Sequence, residues 1–446
     1  MNGKSQEFWN AELETMLPQK MKALQEERFL SVVRWAYGKT PFYRRKLDEA
    51  GISASQIRSL EDAVKIPFTY KDDLRASQER MPPYGEHCAL PDKIYQTYWS
   101  TGTTGRPTFM GVSYREARYW VNVIARTLFS SGLRKGDSFH HATQLSSFAG
   151  GYGFLWAAQL IGANIIPAGA GNTERHIHLL CTLEPSFLKI LPSYANYVAE
   201  IGYKKGIDMR ASSVQHIYLS AEPAPPALRG DLERKWGALT YDSYGLSDVG
   251  QPQTHECSLR DGHHVIADWC LTEIVDPESK EPIHEEGREG VLVFTNLVRK
   301  AMPIIRFWTN DISSWRSLEP CVCGRTSARI APIQRRIDDV VKVKGVNFWP
   351  SAVWTVLGGQ TELTGMHRIL IETRGGKDYL KIILELKEGI LVEAEKLVSA
   401  LKTRLQSALF IKVDEIELVP FGSLQADEHK HRTMVDRRKA GVSSAC

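Results

Sequence analysis

The sequence predicts an α/β protein built as two unequal domains, and three observations carry that expectation. Between Asp137 and Tyr241 short apolar runs alternate with helical patterns, the mark of βαβ units and a parallel sheet flanked by helices. Past Gly250 the chain turns β-rich, and past Arg336 it changes again to a small α+β pattern. A chain of 446 residues is also too long for one compact core. The expected division is a large N-terminal domain, residues 1–336, with parallel-type sheets and a β-rich subdomain, and a small α+β C-terminal domain, residues 337–446.

Taken in order, Leu13, Leu17, Met21 and Leu24 recur at helical spacing, and Gly38 and Pro41 end that first helix. Residues 94–99 read as a strand. A Ser/Thr/Gly loop follows, then a helix announced by Ser113 with Glu116 three residues later, a capping box. The alternating region places strands at 138–142, 164–167, 187–191, 216–219 and 239–242, with helices at 174–183 and 226–236. Residues 265–275, 290–297 and 303–308 are β-rich, punctuated by the turn signals Asp276-Pro277 and Gly287. The C-terminal pattern is strand 368–373, strand 380–386, helix 392–405 and strand 413–419.

Composition excludes several function classes. With 43% hydrophobic and 24% charged residues, the chain lacks the apolar depletion of a disordered protein. Fifty-six basic against 52 acidic residues leave a net charge of +4, so no global field draws it to nucleic acid or anionic lipid. Residues 1–6 are polar and no apolar run is long enough to span a bilayer, which predicts a cytoplasmic protein without a membrane partner. Seven cysteines, an odd count that includes Cys257, Cys321 and Cys323, fit metal ligation or free thiols better than a disulfide framework.

The strongest local signal is Ser100-Thr101-Gly102-Thr103-Thr104-Gly105-Arg106-Pro107. Two glycines turn the backbone and expose successive N–H groups, and four hydroxyls add donors, so the loop can wrap a polyphosphate. It lacks the Gly-Lys-Ser/Thr ending of a Walker A loop, and no helix starts directly from its glycines. Further motifs are Thr40-Pro41-Phe42-Tyr43-Arg44, Pro67-Phe68-Thr69-Tyr70-Lys71, Pro192-Ser193-Tyr194, Ser220-Ala221-Glu222-Pro223 and Tyr244-Gly245-Leu246-Ser247-Asp248. Arg306 with Thr309 and Asp311, Arg336-Ile337-Asp338-Asp339, Lys344-Gly345-Val346-Asn347 and Pro350 complete the series. In this order, over nearly the full length, the chain resembles the adenylate-forming superfamily, and within it the phenylacetate–coenzyme A ligases and their relatives.

That resemblance implies the adenylate-forming enzyme fold and a two-step reaction: ATP converts a carboxylic acid, an aryl acid by the nearest resemblance, to its acyl-adenylate, which coenzyme A then captures as a thioester. It implies phosphate binding by Ser100, Thr101, Gly102, Thr103, Thr104 and Gly105. Ala221, Glu222, Pro223, Asp242, Ser243 and Tyr244 would line the adenine site at the ends of strands, with the Tyr244 ring packed on the base. Asp311, in the turn after a strand, would bind the ribose hydroxyls, and Arg336 would make a second nucleotide contact. Asp248 stands where the family usually has Glu and would hold Mg²⁺ with a side chain one methylene shorter.

The catalytic pair implied is Lys430 with Thr104 of the loop. An ammonium bridging the carboxylate and the α-phosphate stabilises the charge that builds between two anions and aligns them. Family members commonly have Gly before this lysine; here His429 precedes it and His431 follows. Asp338 matches the hinge about which the C-terminal domain turns between the half-reactions, presenting first the lysine and then the loop near Lys344-Gly345. The acid pocket is expected between Thr143 and Gly153 and near Ser220, with Phe148 as an aromatic wall and Gly151 leaving room for a flat ring. The hydroxyls of Ser146 and Ser147 point to a more polar acid, a hydroxy- or amino-substituted benzoate or phenylacetate.

Cys257, His264, Cys321 and Cys323 together supply three thiolates and an imidazole, a soft set suited to a closed structural Zn²⁺ site. His255, His263 and Cys270 are rival ligands, and buried free thiols are the alternative. Two other functional readings stay open on the sequence: a ligase passing the acyl group to an amine or a carrier protein, and a catalytically lapsed nucleotide- or acid-binding protein. A homodimer is compatible with either.

Overall fold

The computed structural model describes residues 7–100, 107–145, 150–338, 340–344, 346–348, 350, 352–357, 360–390, 392–409, 411–424 and 434–438. The chain is mixed α/β, with sheets flanked by helices and a separate small α+β domain at its C-terminal end. By contacts it divides into two units. One comprises Met1–Gly169, Phe187–Lys189 and Tyr241–Gln334; the other comprises Ala170–Ser186, Ile190–Thr240 and Arg335–Cys446.

In the first unit the expected N-terminal helix is two helices, Ala11–Glu14 and Pro18–Lys39. Pro18 is the reason. Its ring bars the helical region to Leu17, which takes φ −52°, ψ 138°, while Pro18 itself fits the first position of a new helix. Pro41 likewise opens the helix Pro41–Glu49, whose N-cap Thr40 accepts from the Tyr43 N–H.

Strands Ile94–Trp99 and Phe109–Ser113 form an antiparallel pair that leads into the helix Tyr114–Ser130. The predicted capping box closes it: Glu116 N–H donates to Ser113 Oγ, and Ser113 N–H donates to Glu116 Oε2 at 2.7 Å. Glu116 Oε1 then accepts from the backbone N–H of Ala301 at 2.8 Å, so the helix cap also fixes the segment after Arg299. Further along the same helix the buried Arg126 makes a bidentate pair with Asp268, at 2.6 and 3.0 Å. Tyr119 and Arg28 also donate to Asp268, through its carboxylate and its carbonyl respectively.

Ser138–His141 runs parallel to both Asn164–Ile166 and Phe187–Ile190, as the alternating pattern predicts. The β-rich part is antiparallel, in the neighbour order Cys270–Val275, Glu289–Asn296, Phe307–Ser317, Arg329–Ile330, His263–Val265, Thr254–His255 and, through Ser243 and Tyr244, Leu239–Tyr244. The strand expected at 303–308 starts only at Phe307, because Arg306 adopts φ +46° and turns its guanidinium inward onto Glu273 and the carbonyls of Val64 and Ile66.

In the second unit the helices Thr173–Leu183, Pro192–Lys204 and Pro226–Trp236 accompany the strand His216–Leu219. Its C-terminal part is a four-stranded sheet in the order Glu415–Val419, Lys377–Leu386, Leu363–Arg374 and Met434–Asp436. The helix Ala394–Leu409 covers it, burying Leu401, Leu405 and Leu409 against Ile369, Ile371, Leu380 and Ile382. That i, i+4, i+8 spacing on the helix meeting alternate residues of a strand is what makes this core from sequence.

The buried Arg126–Asp268 pair tests the packing of the first unit. Both side chains are at most 5% exposed, so Asp268→Asn leaves a guanidinium charge uncompensated, at a cost of about 3–5 kcal/mol. Burial alone would raise the Asp268 carboxyl, but the Arg126 charge outweighs it and the net shift is downward. Its contribution is therefore complete above the unfolded carboxyl pKa of about 3.9 and is lost as pH falls through the lower folded value. Denaturant melts at pH 7 and pH 3 should show the variant's deficit at pH 7 and its shrinkage at pH 3.

Candidate active site

The hydroxyl- and glycine-rich loop leaves the antiparallel pair at Trp99 and returns at Phe109, which face each other in register. Of its residues, Ser100 lies at the foot; Thr101, Gly102, Thr103, Thr104 and Gly105 lie outside the described residues. The foot is pinned twice. Ser100 N–H donates to the Thr108 carbonyl at 3.0 Å, and the Ser100 and Thr108 hydroxyls are 2.8 Å apart. Thr108 Oγ1 donates to Asp248 Oδ1 at 2.8 Å, so it receives the Ser100 proton.

Asp248 is 3% exposed, and its second carboxylate oxygen accepts from Lys71 Nζ at 3.2 Å. Arg299, 1% exposed, donates to the Asp248 carbonyl at 3.0 Å and to the Gly111 carbonyl at 3.3 Å. Burial lowers the Arg299 guanidinium from its ordinary value, against the opposing pull of Glu116 and Asp248. The backbone reaches this spot through Gly245, where a Cβ would come within 2.5 Å of the Gln251 side chain and 2.9 Å of Pro252 Cα. The result is a row of oxygen donors and one ammonium at the root of the loop. A carboxylate and two hydroxyls are hard ligands of the kind Mg²⁺ takes.

Beside it stands the predicted nucleotide strand. Tyr244 donates its phenol to Asp311 Oδ2 at 2.6 Å, so two residues assigned separately from sequence touch directly. Asp311 does not follow a strand in a turn, as expected; it lies inside Phe307–Ser317. There the pairing with Glu289–Asn296 shifts register between Val291 and Val293, and Asn310 at φ +67° turns the bulged stretch, which carries two extra residues. Asp242 and Ser243 are buried at the same strand end. Asp242 N–H donates to Glu256 Oε2 at 2.9 Å, and His263 Nε2 is 3.5 Å from Asp242 Oδ2.

In the second unit, Ser220 follows the strand His216–Leu219, and Ala221 adopts φ +73°, a left-handed backbone that a non-glycine residue rarely holds. Glu222 Oε2 accepts from Ser193 N–H at 3.1 Å, joining two of the quoted motifs. Arg336 and Asp338 form a bidentate pair at 2.9 and 3.0 Å, so the nucleotide candidate and the hinge candidate engage each other. Of the acid-pocket residues, Gly151 caps the helix Tyr152–Ile161, and a Cβ there would meet the Leu145 carbonyl oxygen at 2.5 Å. Phe148 and Lys430 lie outside the described residues.

The four soft ligands converge. Donor atoms of Cys257, His264, Cys321 and Cys323 all lie within 4.8 Å of one another, whereas the rivals His255, His263 and Cys270 are not part of the group. A tetrahedral ion with ~2.3 Å metal–sulfur bonds needs donors ~3.8 Å apart. His264 Nε2 is 3.6 Å from Cys323 Sγ, and its Nδ1 faces Ser327 Oγ at 3.3 Å, the partner that fixes a ligand ring's orientation. The Cys257 thiol facing Cys323 holds the latter's thiol down, with His264 adding to the effect, while the same contact and burial push Cys257 up.

Lys71, Thr108 and Arg299 had no role assigned from sequence. Lys71 stands in a quoted motif, which is the available signal; Thr108, just past the loop, meets Asp248 across 140 residues, and Arg299 meets it across 51.

The profile of the AMP-binding enzyme family matches residues 35–296, and that of the AMP-binding enzyme C-terminal domain matches residues 345–438. A phenylacetate–coenzyme A ligase of Thermus thermophilus is 35% identical over 97% of this chain and 100% of its own length. One from Escherichia coli is 32% identical over 96% of this chain and 97% of its own. Among solved structures, 2-hydroxyisobutyryl-CoA ligase in the postadenylation state, in complex with R3-HIB-AMP, superimposes with a TM-score of 0.90 at 29% identity, covering 99% of this chain and 94% of that one. The chain belongs to the AMP-binding enzyme family.

Proposed function

We propose that this protein is an acid–thiol ligase: it activates a carboxylic acid with ATP as the acyl-adenylate and transfers the acyl group to coenzyme A. The observation that carries the reading is the hydrogen-bonded row Ser100–Thr108–Asp248–Lys71 at the root of the hydroxyl- and glycine-rich loop. The named activity of the curated relatives supports the same chemistry.

In this reading the loop, Ser100 to Gly105, cradles the phosphates, and Lys71 offers them an ammonium from its seat on Asp248. Mg²⁺, held by Asp248 with Ser100 and Thr108 nearby, would neutralise phosphate charge. Ala221 to Pro223 and Asp242 to Tyr244 line the adenine site, Asp311 takes the ribose, and Arg336 makes a second nucleotide contact. Phe148, Gly151 and Ser220 receive the acid, with Thr104 and Lys430 at the reacting centre. Residues 337–446 act as the mobile domain turning about Asp338. The Cys257, His264, Cys321 and Cys323 group holds a structural Zn²⁺.

The deciding experiment is pyrophosphate release with ATP and Mg²⁺ across a panel of acids, with and without coenzyme A. Release that depends on one acid and yields its thioester is expected. Release indifferent to coenzyme A would move the acceptor to an amine or a carrier protein, and silence with every acid would remove the assignment.

Lys71→Met should lower acid-dependent pyrophosphate release by roughly 10²-fold, the scale of losing one charged contact to a transition state. Its melting temperature should fall as well, since Asp248, whose side chain is 4% exposed, loses its ammonium partner, so release is compared well below the melt. An activity within twofold of the parent would remove Lys71 from the site.

Metal analysis of the purified, chelator-washed protein should return about one zinc per chain. Cys323→Ser should lose that metal and melt at a lower temperature; a metal-free parent with an unchanged melt would sink the zinc assignment.

A further inference from the structure

The parallel strands Ser138–His141 and Phe187–Ile190 pair His141 with Lys189 in register, so the two side chains share a face of the sheet. Thr143, two residues beyond His141, continues on that face. All three are buried: Lys189 is 2%, His141 0% and Thr143 7% exposed. Lys189 Nζ donates to Thr143 Oγ1 at 2.9 Å and lies 4.5 Å from the centroid of the Phe154 ring. His141 Nε2 is 3.3 Å from Thr143 Oγ1 and 3.3 Å from the Gly150 carbonyl oxygen. A carbonyl only accepts, so Nε2 carries the ring proton. Burial pulls the Lys189 amine down to about 7 and His141 well below its ordinary value.

Position and chemistry together argue for more than packing. Lys189 and Thr143 sit at the carboxyl ends of adjacent parallel strands, where an open α/β sheet presents its ligand crevice. Their neighbour Gly150 belongs to the segment that resembles the acid pocket, and Phe154 stands one residue beyond it. Desolvating an amine is costly, and an aliphatic side chain would fill the same interior position without that cost. The hydroxyl of Thr143 accepts from Lys189 and still has its own proton to donate. Amine and hydroxyl thus form a short donor relay suited to an oxygen acceptor.

We propose that Lys189 and Thr143 set the substrate class of the acid site, selecting an acid that carries a second oxygen acceptor (hydroxyl, carbonyl or carboxylate) away from the carboxylate that is adenylated. This rests on the acid-activating function proposed above. It adds what that function leaves open: the polarity of the acid's far end and the residues that read it.

The test compares kcat/KM for acid-dependent pyrophosphate release between bare acids and their oxygen-bearing counterparts. The panel holds phenylacetates, benzoates and aliphatic acids, each bare or with hydroxyl, acetyl or carboxylate at successive positions. The parent enzyme should favour one oxygen-bearing acid over its bare counterpart by at least roughly 10-fold, because a site built to hydrogen-bond an oxygen rejects the analogue lacking it. Lys189→Met should cut that ratio by about 10-fold or more, through the KM for the acid, with the KM for ATP unchanged. Thr143→Val should do the same, and Lys189→Gln, which keeps a donor, should restore part of the preference if Lys189→Met folds poorly. A parent that favours bare acids, or variants in which both acids lose activity equally, overturns the inference while pyrophosphate release still upholds the ligase. No release with any acid overturns the ligase itself.

Discussion

One buried junction of charge sets the geometry on which the site depends: the Asp248 carboxylate and the Arg299 guanidinium, both nearly inaccessible to water. Neither charge is tolerable in the interior without hydrogen-bonding partners. Asp248 finds them in Thr108 and Lys71, and Arg299 finds them in the carbonyls of Asp248 and Gly111. Each bond joins segments far apart in sequence, so the loop's foot, the helix Lys71–Arg80 and the turn after Gly245 can close only together. Arg299 in turn is located by the Glu116 capping box, which binds the backbone just beyond it. A helix cap, ordinarily a local device, here transmits its position to the root of a phosphate-type loop.

The Cys/His group reaches the same region by another route. Cys257 lies in the connection and His264 in the second strand of the hairpin formed by Thr254–His255 and His263–Val265, and the first of those strands pairs with Ser243 and Tyr244. Strand alternation does the rest: His264 points to the soft-ligand group, while its neighbour His263 points to Asp242 and Glu256. A metal held there, as proposed, would restrain the strand carrying Asp242 and Tyr244 without touching a nucleotide. That role would account for four such residues, far apart in sequence, converging away from the proposed reacting centre.

The regular elements were legible because their signals are local. Alternating apolar runs placed strands at 138–142, 164–167 and 187–191, each one residue longer than the strands found at 138–141, 164–166 and 187–190, and Ser113 with Glu116 announced the helix that begins at Tyr114. The misreadings arose where one residue's backbone overrode the pattern: Pro18 divided a helix whose apolar spacing was continuous, and positive φ at Arg306 and Asn310 delayed and bulged a strand. The site was legible as a list of motif residues but not as a set of contacts. Asp311 and Tyr244 were readable apart; that they bond to each other was not. Thr108 and Arg299 carry no motif, and their roles exist only through partners brought in by the fold.

Two deeply buried cations of the first unit, Arg126 and Lys189, show how charge type separates support from recognition. Arg126 is permanently charged, since a guanidinium does not give up its proton in a protein, and so it requires a permanent anion, which Asp268 supplies in bidentate form. Lys189 is an amine whose burial brings it near neutrality, and its bond is to a hydroxyl. Such a group sits in the interior at modest cost as a neutral donor and takes up its proton when an acceptor or an anion arrives. A fixed ion pair is the solution for holding two elements together. An adjustable amine at the carboxyl edge of a parallel sheet suits a site that must stand both without and with its ligand, and that difference is the physical ground for reading Arg126 as structural and Lys189 as selective.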